Sequence, residues 1–421
     1  MSTNIAVYAD WVGLAEPTRL GWLYARRGAG REVFEFAFES SALANSGFQG
    51  MHLDPRLGHF EGRQHPPQGQ EIFGVFADSS PDRWGRVLMR RRLERAQRAG
   101  TVDKAVRLYE SDYLLGVHDT YRSGALRLKL DDQGEFLDNQ HGTAAPPFVK
   151  LRELEAASLA LERDEDNTSV AADDWLRMLI APGGSLGGAR PKASVVDPQG
   201  QLWIAKFPSV RDEHDVGAWE LVVQTLAKSC GLRVPTSLGR RFASEHHTFL
   251  VKRFDRTPEG RLHFASAMTL TGHVDGEDAS TGVSYLEIAR VLIEHGCQVA
   301  DDLRELWTRI VFNMLVSNTD DHLRNHGFLR EPNGWRLSPA FDVNPNPDKD
   351  VHVLCINADD PSPDTRLLIG THDYYRLSRR AAQEILDEVR AVVRGWKTVA
   401  TRIGTGVQDN AVMGAVVDAD R

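Results

Sequence analysis

Cysteine is scarce in this chain: its 421 residues contain three, Cys230, Cys297 and Cys355. No two of them stand at the spacing of a zinc or redox motif, which excludes a disulfide framework or a cysteine-based metal centre. The sequence also lacks a run of about twenty apolar residues and a basic, then apolar, N-terminal segment. We therefore expect a cytoplasmic protein with reduced thiols and no membrane association.

Positive charge is not in excess either. Lys and Arg total 50 against 59 Asp and Glu, which gives a net charge of −9. Binding to phosphate backbones needs clustered cations, so this balance disfavours nucleic-acid binding over the whole surface. One local exception is a helix predicted to begin within residues 76–86, with a Ser or Asp cap and the Pro in its first turn.

That predicted helix is rich in arginine. Its arginines are Arg90, Arg91, Arg92, Arg95 and Arg98. Two interpretations stay open: a solvated basic face, or a contact for DNA or an acidic partner.

The hydrophobic pattern changes along the chain, which is long enough for two domains or one two-lobed body. Strand character is found at residues 5–13, 33–38 and 248–251, and in a hairpin at residues 192–207 that turns at residues 198–200. Helical spacing of apolar residues is found at residues 151–163, 216–228 and 303–316. Beyond about residue 283 the pattern is almost wholly helical. A β-containing half followed by a helical half is the arrangement of a two-lobed kinase.

The most informative segment is SNTDDHLRN, residues 317–325, which LSPAFD follows at residues 337–342. An acid, an amide five positions later and a second acid about twenty positions on recur in phosphoryl-transfer enzymes. In such a set Asp320 accepts the proton of the attacking hydroxyl, while Asn325 and Asp342 hold magnesium. Carboxylate and amide oxygens are ligands that Mg²⁺ prefers. The segment therefore predicts a kinase that uses ATP and Mg²⁺.

Two upstream features fall in the order that a kinase needs. Residues 183–192, GGSLGGARPK, contain glycines that let backbone amides approach phosphates. A simple turn between helix and strand is the other interpretation. Lys206 lies on a predicted strand from which it would reach the α- and β-phosphates, unless it is only a strand-edge lysine. A carboxylate on the next helix would hold it, with Glu220 preferred over Glu213.

A zinc hydrolase is the rival interpretation of the same segment. His322 and His326 lie four residues apart, which on a helix would place two imidazoles on one face. Asp321 and Asp342 would complete such a site. Asn325 and the upstream glycine, lysine and glutamate would then have no role. A further alternative is that the Asp and Asn residues only cap a turn.

With these residues together, the chain resembles the HipA family of serine/threonine kinase toxins from bacterial type II toxin–antitoxin modules. Residues 76–86 resemble the N-terminal signature of that family, residues 185–192 its phosphate-binding loop, residues 251–256 its hinge, and residues 318–325 and 339–342 its catalytic and metal motifs. Residues 320–325 are also similar to the catalytic loop of phosphatidylinositol-3-kinase-like enzymes.

The resemblance implies an α+β, two-lobed, protein-kinase-like fold. An N-terminal α/β coupling subdomain would span residues 1–128. A β-containing, ATP-binding lobe would span residues 149–256, and an all-helical C-terminal lobe residues 257–421.

Carried over position by position, the resemblance makes Asp320 the catalytic base and Asn325 and Asp342 the magnesium ligands. The other cofactor-binding positions that it implies are Ser185, Gly187, Gly188, Lys206, Glu220, Lys252, Phe254, Asp255 and His322. Lys252 and Phe254 would offer backbone groups to adenine, and Asp255 would lie near the ribose.

Ser185 matches the serine that family members autophosphorylate, although a serine that only shapes a turn stays the alternative. The implied substrate is a protein, such as an aminoacyl-tRNA synthetase or another translation factor. The implied partner is a HipB-like DNA-binding antitoxin, through which the kinase reaches operator DNA. A corepressor or scaffold bound to that antitoxin is the alternative function, and phosphorylation of a small molecule or lipid is a weaker one.

Overall fold

The structure is a computed structural model that describes residues 2–28, 30–45, 47–48, 52–139, 145–180 and 190–417. The predicted glycine-rich loop, with Ser185, Gly187 and Gly188, lies outside the described residues. The chain forms two compact units. The first comprises Met1–Val210, Phe242–Ser244 and Asp255–Ala265, and the second Arg211–Arg241, Glu245–Phe254 and Ser266–Arg421.

Strands and helices are numbered in chain order. The strands are β1 Ser2–Ala9, β2 Thr18–Gly28, β3 Arg31–Phe38, β4 Leu126–Lys129, β5 Lys192–Val196, β6 Leu202–Lys206, β7 Ser237–Arg240, β8 Thr248–Lys252, β9 Arg256–Thr257, β10 Gly260–Arg261, β11 Phe264–Ser266, β12 Gly327–Glu331 and β13 Gly334–Leu337. The helices are α1 Ser40–Ala44, α2 Gly74–Ala77, α3 Arg83–Arg98, α4 Glu110–Leu115, α5 Leu151–Arg163, α6 Ala172–Ile180, α7 Val216–Ser229, α8 Ala267–Thr271, α9 Tyr285–His295, α10 Val299–Leu315, α11 Thr365–Gly370, α12 Arg379–Val393, α13 Trp396–Ile403 and α14 Val407–Val416.

The first unit contains an antiparallel sheet with the strand order β3-β2-β1-β4. Apolar residues are paired between neighbouring strands: Ile5 lies opposite Leu23, and Leu23 lies opposite Phe36. All three side chains are almost fully buried, because alternate residues of paired strands share one face. The predicted strand at residues 5–13 ends earlier, at Ala9, since the chain turns between Trp11 and Leu14.

The arginine-rich helix is α3, and it begins at Arg83, after the proline that was predicted to lie in its first turn. Asp82 is its N-cap, and Asp82 Oδ1 accepts a hydrogen bond of 2.9 Å from the Gly85 amide. Pro81 therefore precedes the cap and is not part of the first turn. The other carboxylate oxygen of Asp82 forms a buried ion pair of 2.8 Å with Lys192 Nζ on β5.

The arginines of α3 divide into two groups. Arg91 donates to the Leu161 carbonyl on α5, and Arg98 donates to the Asn167 carbonyl in the segment after α5. Arg95 forms an ion pair of 2.5 Å with Asp173 on α6. Arg90 and Arg92 are exposed. Part of the basic face predicted from the sequence therefore fastens α3 to α5 and α6.

The second unit is built around α10, which is buried over most of its length. It packs against α9 and α12, while α7 packs against α13 and β8. The antiparallel hairpin β12–β13 and the antiparallel pair β7–β8 belong to this unit. The C-terminal lobe predicted as all-helical therefore also contains strands, because residues 327–337 pair as a hairpin.

The α+β fold class is confirmed. The two compact units do not follow the predicted three-part division, since residues of the predicted segment 149–256 occur in both units. The functional division into a coupling subdomain and two kinase lobes stays a prediction. Of the helices in the described residues, none combines the length and apolar character needed to cross a membrane.

Candidate functional site

The loop that carries Asp320 leaves the buried helix α10 through a sharp turn. Ser317 has a left-handed backbone (φ +52°), and the Asn318 amide donates to the Asn313 carbonyl over 2.8 Å. Asp320 then emerges with 59% of its side chain exposed, and Lys349 Nζ lies 2.8 Å from its Oδ1. A rigid helix end thus presents an accessible carboxylate, as a base for a protein-sized substrate requires.

Asn325 ends a short 3-10 helix, Leu323–Asn325, within the same loop. Its side-chain amide Nδ2 donates to the backbone carbonyl of Asp320 over 3.2 Å. This bond engages the nitrogen of the amide and leaves the oxygen as the group for a cation. An amide oxygen is a ligand type that Mg²⁺ accepts, so Asn325 fits the predicted magnesium ligand.

Asp342 has a left-handed backbone, with φ +57°. Such a conformation costs a non-glycine residue about 1–3 kcal/mol and persists where the surrounding structure imposes it. Its flanking residues are held in place: the Ala340 amide donates to the Arg233 carbonyl over 2.7 Å, and the Asn344 amide to Asn318 Oδ1 over 3.2 Å. The surrounding structure thus imposes the backbone of Asp342.

Charged residues brace the segment before Asp342. Asp302 on α10 is fully buried and accepts from Arg233 over 2.7 Å and from Arg336 over 3.0 Å. Arg309, also on α10, donates to the Ser338 carbonyl. These contacts join α10 and the loop after α7 to β13 and the residues that follow it.

Two segments of the second unit run side by side, residues 317–320 and residues 342–353. Besides the Asn344–Asn318 contact, the Asn346 amide donates to Ser317 O over 2.9 Å, and the Val353 amide to Thr319 O over 3.0 Å. A small cavity is lined by Asn325 and by Phe341 and Val343, the two neighbours of Asp342. The structure therefore places the segments of Asp320, Asn325 and Asp342 side by side, and the joint role predicted for the three side chains stays a prediction.

Asp321, next to the proposed base, has the opposite environment. It is 2% exposed, and its Oδ2 accepts from Tyr285 (2.7 Å), Asn313 (2.7 Å) and His326 (2.8 Å). Burial would raise the pKa of this carboxyl, but the charge and hydrogen bond of His326 outweigh burial and hold it below the ordinary value. Asp321 thus joins the loop to α9 and α10. Sequence reasoning missed this role, because spacing along the chain does not show which side chains are buried together.

The geometry does not support the zinc-hydrolase interpretation. His322 and His326 flank a 3-10 helix, so they do not share one face of an α-helix. His326 is engaged with Asp321. Within the residues that the structure describes, no group of three or more His, Cys, Asp or Glu side chains is placed to hold a metal ion.

The predicted nucleotide-binding residues occupy both units. Lys206 ends β6 in the first unit, whereas Glu220 is buried in α7 of the second, and their pairing stays a prediction. Lys252 ends β8, and its amide donates to Thr236 O over 2.8 Å, so this amide is not the group that would contact adenine. The Phe254 ring lies 5.6 Å from the ring of Phe341, which precedes Asp342.

Two further cofactor predictions fall on buried groups. Asp255 is 4% exposed, and its Oδ2 accepts from the Gly124 amide over 2.9 Å and from Arg256 over 2.8 Å. These contacts give it a structural role within the first unit, and the ribose contact stays a prediction. His322 Nδ1 is buried, without a hydrogen-bond partner among the described residues.

A comparison with models of protein families identifies the family of this chain. The model of the HipA-like C-terminal domain matches residues 184–396, just over half of the chain. The chain belongs to the HipA-like family. The sequence prediction of this family is confirmed, whereas its detail of a phosphatidylinositol-3-kinase-like core stays a prediction.

Two curated relatives of this HipA-like chain are candidate kinases. Y4dM of Sinorhizobium fredii is 32% identical over 160 residues, which cover 34% of this chain and 37% of Y4dM. A protein of Haemophilus influenzae is 29% identical over 189 residues, which cover 39% of this chain and 54% of that protein. The HipA-like chain thus spans less than two thirds of the length of these relatives.

A solved structure extends the likeness to the whole fold. It is HipA in the complex of the Shewanella oneidensis MR-1 toxin–antitoxin system with HipB and operator DNA. The match has a TM-score of 0.63 at 17% identity and covers 97% of this chain and 95% of that chain. An identity of 17% supports a statement about the fold alone. The HipA-like chain shares the fold of that HipA chain.

Proposed function

We propose that this HipA-like chain is an ATP- and Mg²⁺-dependent kinase that transfers the γ-phosphate to a serine or threonine hydroxyl of a protein. The observation that supports the proposal is that hydrogen bonds hold the segment of Asp320, with its exposed carboxylate, beside the segment that begins at Asp342. Asn325, whose side-chain nitrogen donates to the Asp320 carbonyl, keeps its amide oxygen for a cation. The candidate kinases among its relatives support the same activity.

In this mechanism Asp320 orients the hydroxyl and accepts its proton. Asn325 Oδ1 and the Asp342 carboxylate would hold magnesium, and Mg-ATP would supply the phosphoryl group. Lys206, Glu220, Lys252 and Phe254 stay the proposed nucleotide-binding residues. Such a reaction depends mainly on positioning and charge neutralisation, so the braced backbone around Asp342 suits it.

The alternative of a lone turn cap explains less. A capping aspartate would accept hydrogen bonds from nearby backbone amides. The Asp320 carboxylate instead accepts a hydrogen bond from the ammonium of Lys349. The exposed carboxylate is accessible to a substrate.

The decisive variant is Asp320→Asn, which keeps the shape of the side chain and removes the base. We expect turnover with γ-labelled ATP to fall by about 10²–10⁴-fold, the usual contribution of a positioned proton acceptor. Mg-ATP affinity and melting temperature should stay unchanged, because the carboxylate is exposed. Transfer can be measured as label incorporated into a bacterial lysate and into the chain itself.

Full activity in the folded Asp320→Asn protein would refute Asp320 as the base.

We also propose that Ser185 is the autophosphorylated residue. Mass spectrometry of wild type and Ser185→Ala after incubation with Mg-ATP tests this: loss of self-labelling with retained lysate labelling is expected.

A HipB-like antitoxin is the proposed partner, since the similar HipA chain from Shewanella oneidensis is in a complex with HipB and operator DNA. A second role as a corepressor follows from the same observation. Operator binding by the antitoxin, measured with wild type and with Asp320→Asn, separates the roles. If both proteins enhance binding equally, the corepressor role does not need catalysis.

A further inference from the structure

Lys349 is a residue that the acid–amide–acid set does not include, yet its Nζ lies 2.8 Å from Asp320 Oδ1. The two side chains are 48% and 59% exposed, so the pair lies on the accessible side of the loop. An exposed pair of long side chains would by itself be weak grounds for a function.

The backbone, however, fixes where Lys349 stands. The Asn346 amide, three residues before Lys349, binds Ser317 O, and the Val353 amide, four residues after it, binds Thr319 O. Asn346 Oδ1 further accepts from the Asp348 amide over 2.9 Å, which closes a turn directly before the lysine. The segment that carries Lys349 is thus fastened on both sides to the residues that precede Asp320.

The surroundings of Lys349 also include a second carboxylate. Asp278 has a lowered pKa, chiefly through hydrogen bonds from Ser280 and to a lesser degree through the charge of Lys349. The charge of Lys349 therefore acts on a second carboxylate besides that of Asp320, which is its hydrogen-bond partner.

A base that holds the attacking hydroxyl at about 2.6–3.2 Å places the phosphorus about 3–3.5 Å beyond that oxygen. A cation in hydrogen-bond reach of the same carboxylate then lies beside the equatorial oxygens of the transferred group, where negative charge must be neutralised. Lysine is a compact point charge with three donors on a flexible stem, which suits this position.

We propose that Lys349 is a further catalytic residue of the phosphoryl transfer, and that its ammonium passes from Asp320 to an oxygen of the transferred phosphoryl group once a substrate hydroxyl occupies the base. This inference rests on the proposed kinase function. The substrate oxygen forms a bond to the γ-phosphorus while the bond from that phosphorus to the β-γ bridging oxygen breaks, and ADP keeps the electron pair. The hydroxyl proton goes to Asp320 and then to water, whereas Lys349 keeps its protons and only donates hydrogen bonds.

The test compares Lys349→Met, which keeps length but removes charge, with Lys349→Arg, which keeps charge. Lys397→Met, on α13, is the matched control, because it removes another exposed lysine of the second unit. For each protein we would measure kcat and KM for ATP. Calorimetry would give the affinity for Mg-ADP with and without aluminium fluoride, which mimics the transferred group.

In Lys349→Met we expect kcat to fall by about 10²-fold, as when one donor to the developing charge is removed. Mg-ADP affinity should not change, but the gain in affinity from aluminium fluoride should be lost. Lys349→Arg should keep more activity than Lys349→Met, and Lys397→Met should match wild type. The binding readout distinguishes this role from a structural one, since a loosened loop would weaken Mg-ADP as well.

If wild type is active and Lys349→Met has an equal or higher kcat, the inference about Lys349 is wrong while the kinase proposal stands. A higher kcat would mean that Lys349 obstructs the base. Retention of the aluminium fluoride effect in Lys349→Met would also overturn it. If wild type neither turns over ATP nor binds Mg-ADP, the kinase proposal itself fails and Lys349 falls with it.

Discussion

At the scale of single residues, the loop after α10 places two adjacent carboxylates in opposite environments. Asp320 is more than half exposed, and Asp321 is almost fully buried under three hydrogen-bond donors. Their side chains leave the backbone on opposite sides, so one faces solvent and the other faces α9 and α10. The first position suits chemistry and the second suits support of the loop.

Asp321→Asn should therefore destabilise the protein without touching the reacting groups. Weakening the hydrogen bonds to a buried carboxylate costs about 1–3 kcal/mol, because Tyr285, Asn313 and His326 lose the charge to which they donate. Urea unfolding measures the loss, and Asp320→Asn is the control next to it in sequence. Equal stability of the two variants would contradict the assigned environments.

The same buried carboxyl predicts a pH dependence. The pKa of Asp321 is below the ordinary value in the folded protein, and so is that of Asp215, where burial is outweighed by the hydrogen bonds from His247. The unfolded chain then takes up protons first as the pH falls. The stability that these groups contribute is complete above their unfolded pKa of about 3.9 and is lost as the pH falls towards the folded value.

We therefore expect the urea midpoint of wild type to fall more steeply than that of Asp321→Asn between about pH 5 and pH 3. The variant has lost one buried carboxyl with a lowered pKa, so less of its stability depends on pH. Parallel curves for the two proteins would show that Asp321 does not titrate with a lowered pKa.

At the scale of elements, the start of α3 and the strand β5 depend on each other. Asp82 caps the helix with one carboxylate oxygen and pairs with Lys192 through the other. The side chains of both residues are about 95% buried. The segment 76–86 was identified in the sequence as a family signature. Its Asp82 thus has a structural role, as the cap of α3 and the partner of Lys192.

Lys192→Met should leave the Asp82 carboxylate buried without its counter-ion and cost about 3–5 kcal/mol of unfolding free energy. The double variant Lys192→Met/Asp82→Asn should lose much less than the sum of the single changes, because no unpaired charge remains. Thermal or urea unfolding of the four proteins checks this. Additive losses would mean that the two side chains do not interact.

At the scale of the whole molecule, two compact units make up a fold that is shared with a HipA chain at only 17% identity. Few side chains are common to the two proteins. A fold can persist at this identity because it requires the pattern of buried and exposed positions more than particular residues.

Ligand binding should stabilise this whole molecule. At about 100 times its dissociation constant, Mg-ATP should add about 2.7 kcal/mol to the unfolding free energy of wild type. Asp342→Asn keeps a residue type that tolerates the left-handed backbone, so its apo stability should match wild type while the magnesium-dependent gain is lost. Asp320→Asn should keep the full gain, and thermal shift with and without magnesium compares the three proteins.

Local patterns predicted several elements well. Helix α5 and the hairpin β5–β6 lie where periodicity and turn residues place them, and α7 ends within one residue of the prediction. The strand β2 was missed, and β12–β13 contradicts an all-helical C-terminal lobe. The pairing of β2 with β1 and β3 depends on partners that a local pattern does not contain.

The chemical repertoire of the site, an acid, an amide and a second acid at kinase spacing, was determined by the sequence alone, because ligand preference belongs to residue types. Only the tertiary structure decided that Asp321 is buried, that Lys192 pairs with Asp82 and that Lys349 faces Asp320. Each of these contacts joins residues about 5 to 110 positions apart. Burial and ion pairing depend on distance in space, which composition and spacing do not specify.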